Sequence, residues 1–197
     1  MKRYILTGAP GSGKTAILRQ LEIEGYSVVE EAATDIIALW QAESIPEPWR
    51  HPGFIDAIVD LQRLREARAY SRSRQMQFHD RSLVCTEALA RYLAAPPSQM
   101  LVDELARIRS QRVFQKQVFF IRSMGFIKPT EARTISLEEA LRFEALHEQV
   151  YRELGFHIVS IGPGSVPDRA REILAAIKAA SARPPQARQV STLTTSR

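Results

Sequence analysis

The stretch Gly8-Ala9-Pro10-Gly11-Ser12-Gly13-Lys14-Thr15 constrains this chain more than any other. It fits the spacing G-x-x-x-x-G-K-[ST] without a gap, with the apolar run Tyr4-Ile5-Leu6 before it and a helical pattern after it. A ring of backbone N–H groups that all point inward needs turns with no Cβ in the way, and Gly8, Gly11 and Gly13 supply them. Such a ring cradles the phosphates of a nucleotide, so the whole run from Gly8 to Thr15 is expected to contact one. Lys14 then sets a positive charge on the outer phosphates, where it also acts in catalysis, and the Thr15 hydroxyl offers a ligand to Mg2+.

Composition narrows the setting. A chain of 197 residues is long enough for one domain with a full core and too short for two large ones. Residues 1–180 are expected to form that domain, and 181–197 a disordered basic tail. The single Cys85 excludes an intramolecular disulfide framework. No apolar stretch is long enough to cross a bilayer, and Gly8 to Lys14 interrupts any signal-peptide core, so the expected compartment is the cytoplasm. Of the net charge of +5, the tail arginines Arg183, Arg188 and Arg197 carry three, which leaves the body close to neutral. That balance argues against a nucleic-acid partner.

The periodicity predicts a strand at 2–7, a helix at 15–24 ended by Gly25, and a strand at 26–29. This β-α-β unit implies parallel pairing. Glu30 and Glu31 stand at the carboxyl end of the second strand, where ligands gather in open α/β sheets. One of them is either a general base or a solvated charge in the first turn of the next helix, 32–42. Trp49 and Arg50 sit in a proline-rich loop, where Trp49 either seals the loop or faces a planar acceptor; sealing is the expectation. A long helix follows at 54–73, with arginines spread around it as on a solvated surface.

The third strand, 76–80, ends in Asp80-Arg81-Ser82. Asp80 is expected to hold Mg2+ beside Thr15, since capping of the next helix is a job that Ser82 can fill. Cys85 reads as a small core residue in the helix 84–93. Ser98 opens another helix, whose end carries Arg107, Arg109 and Arg112. These arginines either close over the phosphates and offset charge on the transferred group or form an exposed basic face. A fourth strand at 117–121, an irregular segment at 125–133 and a helix opened by Ser136 and Glu139 follow. The fifth strand, 157–161, leads into Gly162-Pro163-Gly164, whose backbone is placed to meet the nucleotide base, and Ser165 with Asp168 caps a last helix ending near Ala180. The four histidines lack metal-ligand spacing, so no zinc site is expected.

With the phosphate loop, Glu31, Asp80-Arg81-Ser82 and the arginine-rich segment in place, the chain resembles the AAA-family ATPase-like group of P-loop proteins. That group includes the kinase domain acting on nicotinamide riboside and, more distantly, the deoxynucleoside kinases. The resemblance spans roughly Lys2 to Ala180 and implies a three-layer α/β fold, with a five-stranded parallel sheet in the order 2-3-1-4-5. It also implies ATP and Mg2+ as cofactors, Glu31 rather than Glu30 as the group acting on an acceptor, and Arg133 as a phosphate or acceptor ligand. One departure stands out: the group often reads Glu-x-x-Arg after the second strand, and here Thr34 replaces the arginine. The expected activity is phosphoryl transfer from ATP to the hydroxyl of an unidentified, nucleoside-like acceptor. The alternative is a nucleotide-dependent switch or slow ATP or GTP hydrolase that acts on a protein or lipid partner.

Overall fold

In the computed structural model, residues 1–70, 75–122 and 137–182 are described. The elements run β1 (Lys2–Thr7), α1 (Lys14–Ile23), β2 (Ser27–Val29), α2 (Ala33–Ala42), a 3-10 turn (Pro48–Arg50), α3 (Phe54–Tyr70) and β3 (Met76–Asp80). They continue α4 (Leu83–Tyr92), α5 (Gln99–Ser110), β4 (Gln117–Ile121), α6 (Leu137–Glu153), β5 (His157–Ile161) and α7 (Val166–Ala182). All strand pairs are parallel, in the order β2-β3-β1-β4-β5, as the resemblance implies.

The two-residue period of the strands divides the core between the faces of the sheet. In β1, Tyr4 and Leu6 join Phe78, Phe119, α1 and α7 on one face, while Ile5 joins Val118 and the α2–α6 side on the other. Because both faces are covered by helices, the central β4 reads as a nearly continuous apolar run, Val118 to Ile121, buried throughout. Phe78, Phe119 and Phe120 are completely buried.

Local signals set most of the element ends. The left-handed Gly25 (φ 92°) stops α1, and the Tyr26 N–H reaches back to the Leu21 carbonyl at 3.0 Å. Ser82 caps α4 by accepting the Val84 N–H at 3.3 Å, and Ser98 caps α5 by accepting that of Leu101 at 3.0 Å. In the proline-rich loop it is Pro48 that is buried. Trp49 stays 38% exposed, while Trp40 packs against His51 and Phe54. Trp49 therefore does not seal the loop. The last helix runs two residues beyond its expected end, to Ala182. Residues 183–197, the segment 125–133 with Arg133, and the cap Ser136 lie outside the described residues.

One glycine is demanded by the packing of the sheet itself. Gly8 has φ 132°, and a Cβ there would come within 2.3 Å of the Ile121 carbonyl oxygen at the end of β4. Gly8→Ala should therefore lower the free energy of unfolding in urea by about 2–3 kcal/mol. An unchanged midpoint would contradict this close approach.

Candidate functional site

The parallel sheet brings the carboxyl ends of β1 and β3 to one edge, with Leu6 opposite Asp80. The phosphate loop leaves β1 there and enters α1. Gly8, Gly11 and Gly13 all hold positive φ, at 132°, 80° and 92°. Gly13 caps α1 without a side chain, so the first turn of that helix keeps its N–H groups for a ligand. Ala9 and Ser12 are buried, and Lys14 folds back so that its ammonium donates to the Ala9 carbonyl at 2.8 Å. Burial, followed by the Arg81 charge, lowers the Lys14 pKa to about 8.

Thr15 and Asp80 are brought together: the Thr15 hydroxyl donates to Asp80 Oδ2 at 2.7 Å. Asp80 is buried, its Oδ1 has no partner among the described residues, and desolvation raises its pKa although Lys14 opposes the shift. Since Ser82 serves as the cap, the Asp80 carboxylate is left to the site. The hydroxyl–carboxylate pair is a set of hard oxygen donors suited to Mg2+.

Beyond Lys14 and Thr15 lies a cavity of about 420 Å³. Its polar walls come from Glu31, Thr34, Gln62 and Arg81, and Ile37 and Phe143 stand among its apolar ones. The two acids after β2 part company here. Glu30 turns outward to pair with Arg19, whereas Glu31 lines the cavity, with Oε1 3.1 Å from Arg81 Nε and Oε2 accepting from Thr34 at 3.0 Å. Arg65 from α3 donates to the Glu31 carbonyl oxygen and fixes the backbone behind it. Trp49 is absent from the walls. Cys85 lines the cavity as well, but its thiol is buried and engaged, 3.0 Å from the Tyr151 hydroxyl and 3.3 Å from Thr7 Oγ1.

Arg109 and Arg112 require a correction. They border a small cavity with Gln115, Lys116 and Phe156, the residues immediately before β4 and β5. That is the amino edge of the sheet, opposite the phosphate loop. The helix α5, which carries Arg109 and ends two residues before Arg112, runs alongside α3, with Ser98 bonded to Asp56 at its start and Arg107 paired with Glu66 near its end. The length and direction of α5 thus take its last turn away from the phosphate loop, and neither arginine lines the cavity beside Lys14. Gly162 and Pro163 do lie at the carboxyl edge, directly after β5, and a Cβ on Gly162 would meet nothing within 4 Å.

Comparison with known proteins adds a family and a fold. The family model described as an AAA domain matches residues 3–169. No curated protein matches the chain in sequence. Among solved structures, the chain is similar to a deoxyadenosine kinase from M. mycoides, with TM-score 0.58 and 12% identity over 90% of this chain and 99% of that one. It is also similar to the NadR protein in complex with NAD and AMP-PNP, with TM-score 0.65 and 16% identity over 93% of this chain and 50% of that one, so it spans half of NadR. A third likeness is to thymidylate kinase from Candida albicans, with TM-score 0.58 and 12% identity over 91% and 92% of the two chains.

Two site residues lie outside every motif, Arg169 and His147. Each occupies a position on a buried helical stripe, His147 midway between Phe143 and Tyr151 and Arg169 four residues before Ile173. A polar residue on such a stripe is the signal that would have found them. His147 is completely buried. Its Nε2 accepts from Arg81 Nη1 at 2.9 Å, and because arginine only donates, Nδ1 carries the proton and donates to the Phe143 carbonyl at 2.8 Å.

Burial, then the Arg81 charge, lowers the His147 pKa from 6.5 to about 3. Between those values the unfolded chain binds a proton that the folded one refuses. The contribution of this group is therefore complete above the unfolded pKa and is lost as pH falls through the window, at about 1.4 kcal/mol per pH unit. Urea unfolding from about pH 7 down to about pH 4.5 should show a steeper loss of stability for the native sequence than for His147→Gln. Equal slopes would mean that His147 titrates as an exposed histidine does.

Proposed function

This chain belongs to the AAA domain family, and from that premise we propose that it is an ATP-dependent kinase acting on the hydroxyl of a small, nucleoside-like acceptor. The observation that carries the reading is Glu31. This carboxylate opens onto a cavity that adjoins Lys14 and Thr15, and it is oriented on one side by Arg81 and on the other by Thr34. Nucleoside and nucleotide kinases among the structural neighbours support the same reading.

In this reaction the phosphate loop and the first turn of α1 hold the ATP phosphates through N–H groups, and Lys14 faces the outermost one. Thr15 and Asp80 would hold Mg2+, which neutralises phosphate charge when bound. Glu31 accepts the proton of the acceptor hydroxyl as that oxygen bonds to the γ-phosphorus and the bond to the departing ADP breaks. Lys14 and Arg81 are the cations near the developing charge, in place of Arg109 and Arg112. Most of the acceleration comes from positioning. Gln62 offers the acceptor a polar contact, because it is buried at the cavity wall and its Nε2 has no partner among the described residues. The loop at Gly162 and Pro163 borders the base.

Two measurements test this. ADP release from ATP and Mg2+ should rise with one member of a panel of nucleosides and small alcohols. Glu31→Gln should then reduce the stimulated rate by about 100-fold or more. A slow rate indifferent to every acceptor would instead favour a nucleotide switch or hydrolase. Separately, Lys14→Ala should weaken ATP binding by at least about tenfold in calorimetry, and an unaltered Kd would remove the nucleotide reading altogether.

A further inference from the structure

Arg169, in the first turns of α7, is only 3% exposed and lies directly behind the phosphate loop. Its Nη1 donates to the Ser12 carbonyl oxygen at 2.9 Å and its Nη2 to the Arg122 carbonyl oxygen, just past β4, at 3.1 Å. Its Nε is buried without a partner among the described residues. Other shielded arginines are held by acids: Arg81 by Glu31, Arg107 by Glu66 and Glu104, Arg122 by Glu144 and Glu148. Arg169 has no carboxylate within ion-pair distance among the described residues. Two backbone carbonyls hold it, and a buried cation is a costly group to keep for carbonyls alone.

The peptide it grips explains the arrangement. The Ser12 carbonyl and the Gly13 N–H belong to one planar unit, so fixing the oxygen on the outside of the loop fixes the N–H on the inside. The Gly13 N–H makes no hydrogen bond among the described residues. A cation on the carbonyl also polarises that unit and strengthens the N–H as a donor. The approach is close: a Cβ on Gly13 would stand 3.1 Å from Arg169 Nη1, so glycine there serves the guanidinium as well as the φ of 92°. Through its own N–H, bonded to the Ser165 carbonyl at 3.0 Å, Arg169 also joins the phosphate loop to the segment that follows Gly162 and Pro163.

We propose that Arg169 is a positioning residue for phosphate binding, which holds the Ser12–Gly13 peptide so that its N–H faces the oligophosphate. The role rests on the nucleotide-binding reading given above. Inorganic tripolyphosphate and AMP-PNP serve as probes, titrated by calorimetry into the full chain below its melting temperature. Arg169→Met should bind both about tenfold more weakly, and Arg169→Lys, which keeps the charge and reaches one carbonyl, should recover only in part, to about threefold below the native protein. A merely structural arginine would lower the melting temperature and leave both affinities unchanged, and that result would overturn the proposal. Should Arg169→Met fail to fold, Arg169→Lys decides alone: affinity about threefold below native supports the role, and native affinity overturns it. A native chain that binds neither probe would sink the nucleotide reading and the role with it.

Discussion

Charge taken out of water at one edge of the sheet is the constraint on which this structure turns. Lys14 and Asp80 are buried, Arg81 and Glu31 are mostly shielded, and each burial costs several kcal/mol before compensation. The compensation among them is incomplete. Asp80 is pushed up and Lys14 down, so in both groups desolvation outweighs the opposite charge nearby. Asp80 keeps an unpartnered oxygen, and the ammonium of Lys14 rests on a backbone carbonyl. A site left in that condition favours ligands that bring the missing charges, an anion for Lys14 and a cation for Asp80.

Arg81 is where this electrostatic arrangement meets the backbone. Its φ of 66° is unusual for a non-glycine residue, and conformations of this kind persist only when several contacts determine them together. Three contacts do so: the Arg81 N–H donates to the Leu6 carbonyl at 2.9 Å, Nη1 donates to His147, and Nε faces Glu31. The neutral state of His147 is essential to this, because a charged imidazole would offer Arg81 no acceptor and would repel it. The hydrogen bond between Ser82 and Tyr151, at 3.1 Å, ties the same turn to α6. Thus α6 packs against α4 for apolar reasons and also sets the polar edge that faces the cavity.

The fold was largely legible because its signals are local. The phosphate loop needs its glycines in one order, Gly25, Ser82 and Ser98 mark helix ends, and apolar runs mark strands buried on both faces. The position of Asp80 at the end of β3, and Ser82 as the cap of α4, are legible for the same reason, since both signals lie within a few residues. Resemblance alone separates Glu31 from Glu30 in the sequence, and the structure adds a physical difference: Glu30 faces Arg19 and solvent, Glu31 faces Arg81 and the cavity. The place of Arg109 and Arg112 is not legible in the sequence, because sequence order does not say which end of a helix returns to which edge of a sheet. That depends on the α3–α5 contacts, made between residues about forty apart. His147 and Arg169 were missed because their partners, Arg81 and the Ser12 carbonyl, are distant in sequence.

These two missed residues share a logic that links the halves of the site to the layers of the fold. The phosphate loop is gripped from behind by α7, whose Ala170, Ile173 and Ile177 belong to the core cluster shared with α1. The wall around Glu31 and Arg81 is braced through His147 by α6, which packs in the other cluster, across the sheet. The sheet separates the two cores and is the rigid element common to both. The phosphate loop and the wall around Glu31 are therefore anchored in different layers and meet at the carboxyl edge, where Thr15 touches Asp80. Such a division lets the wall around Glu31 vary without disturbing the phosphate loop across the sheet.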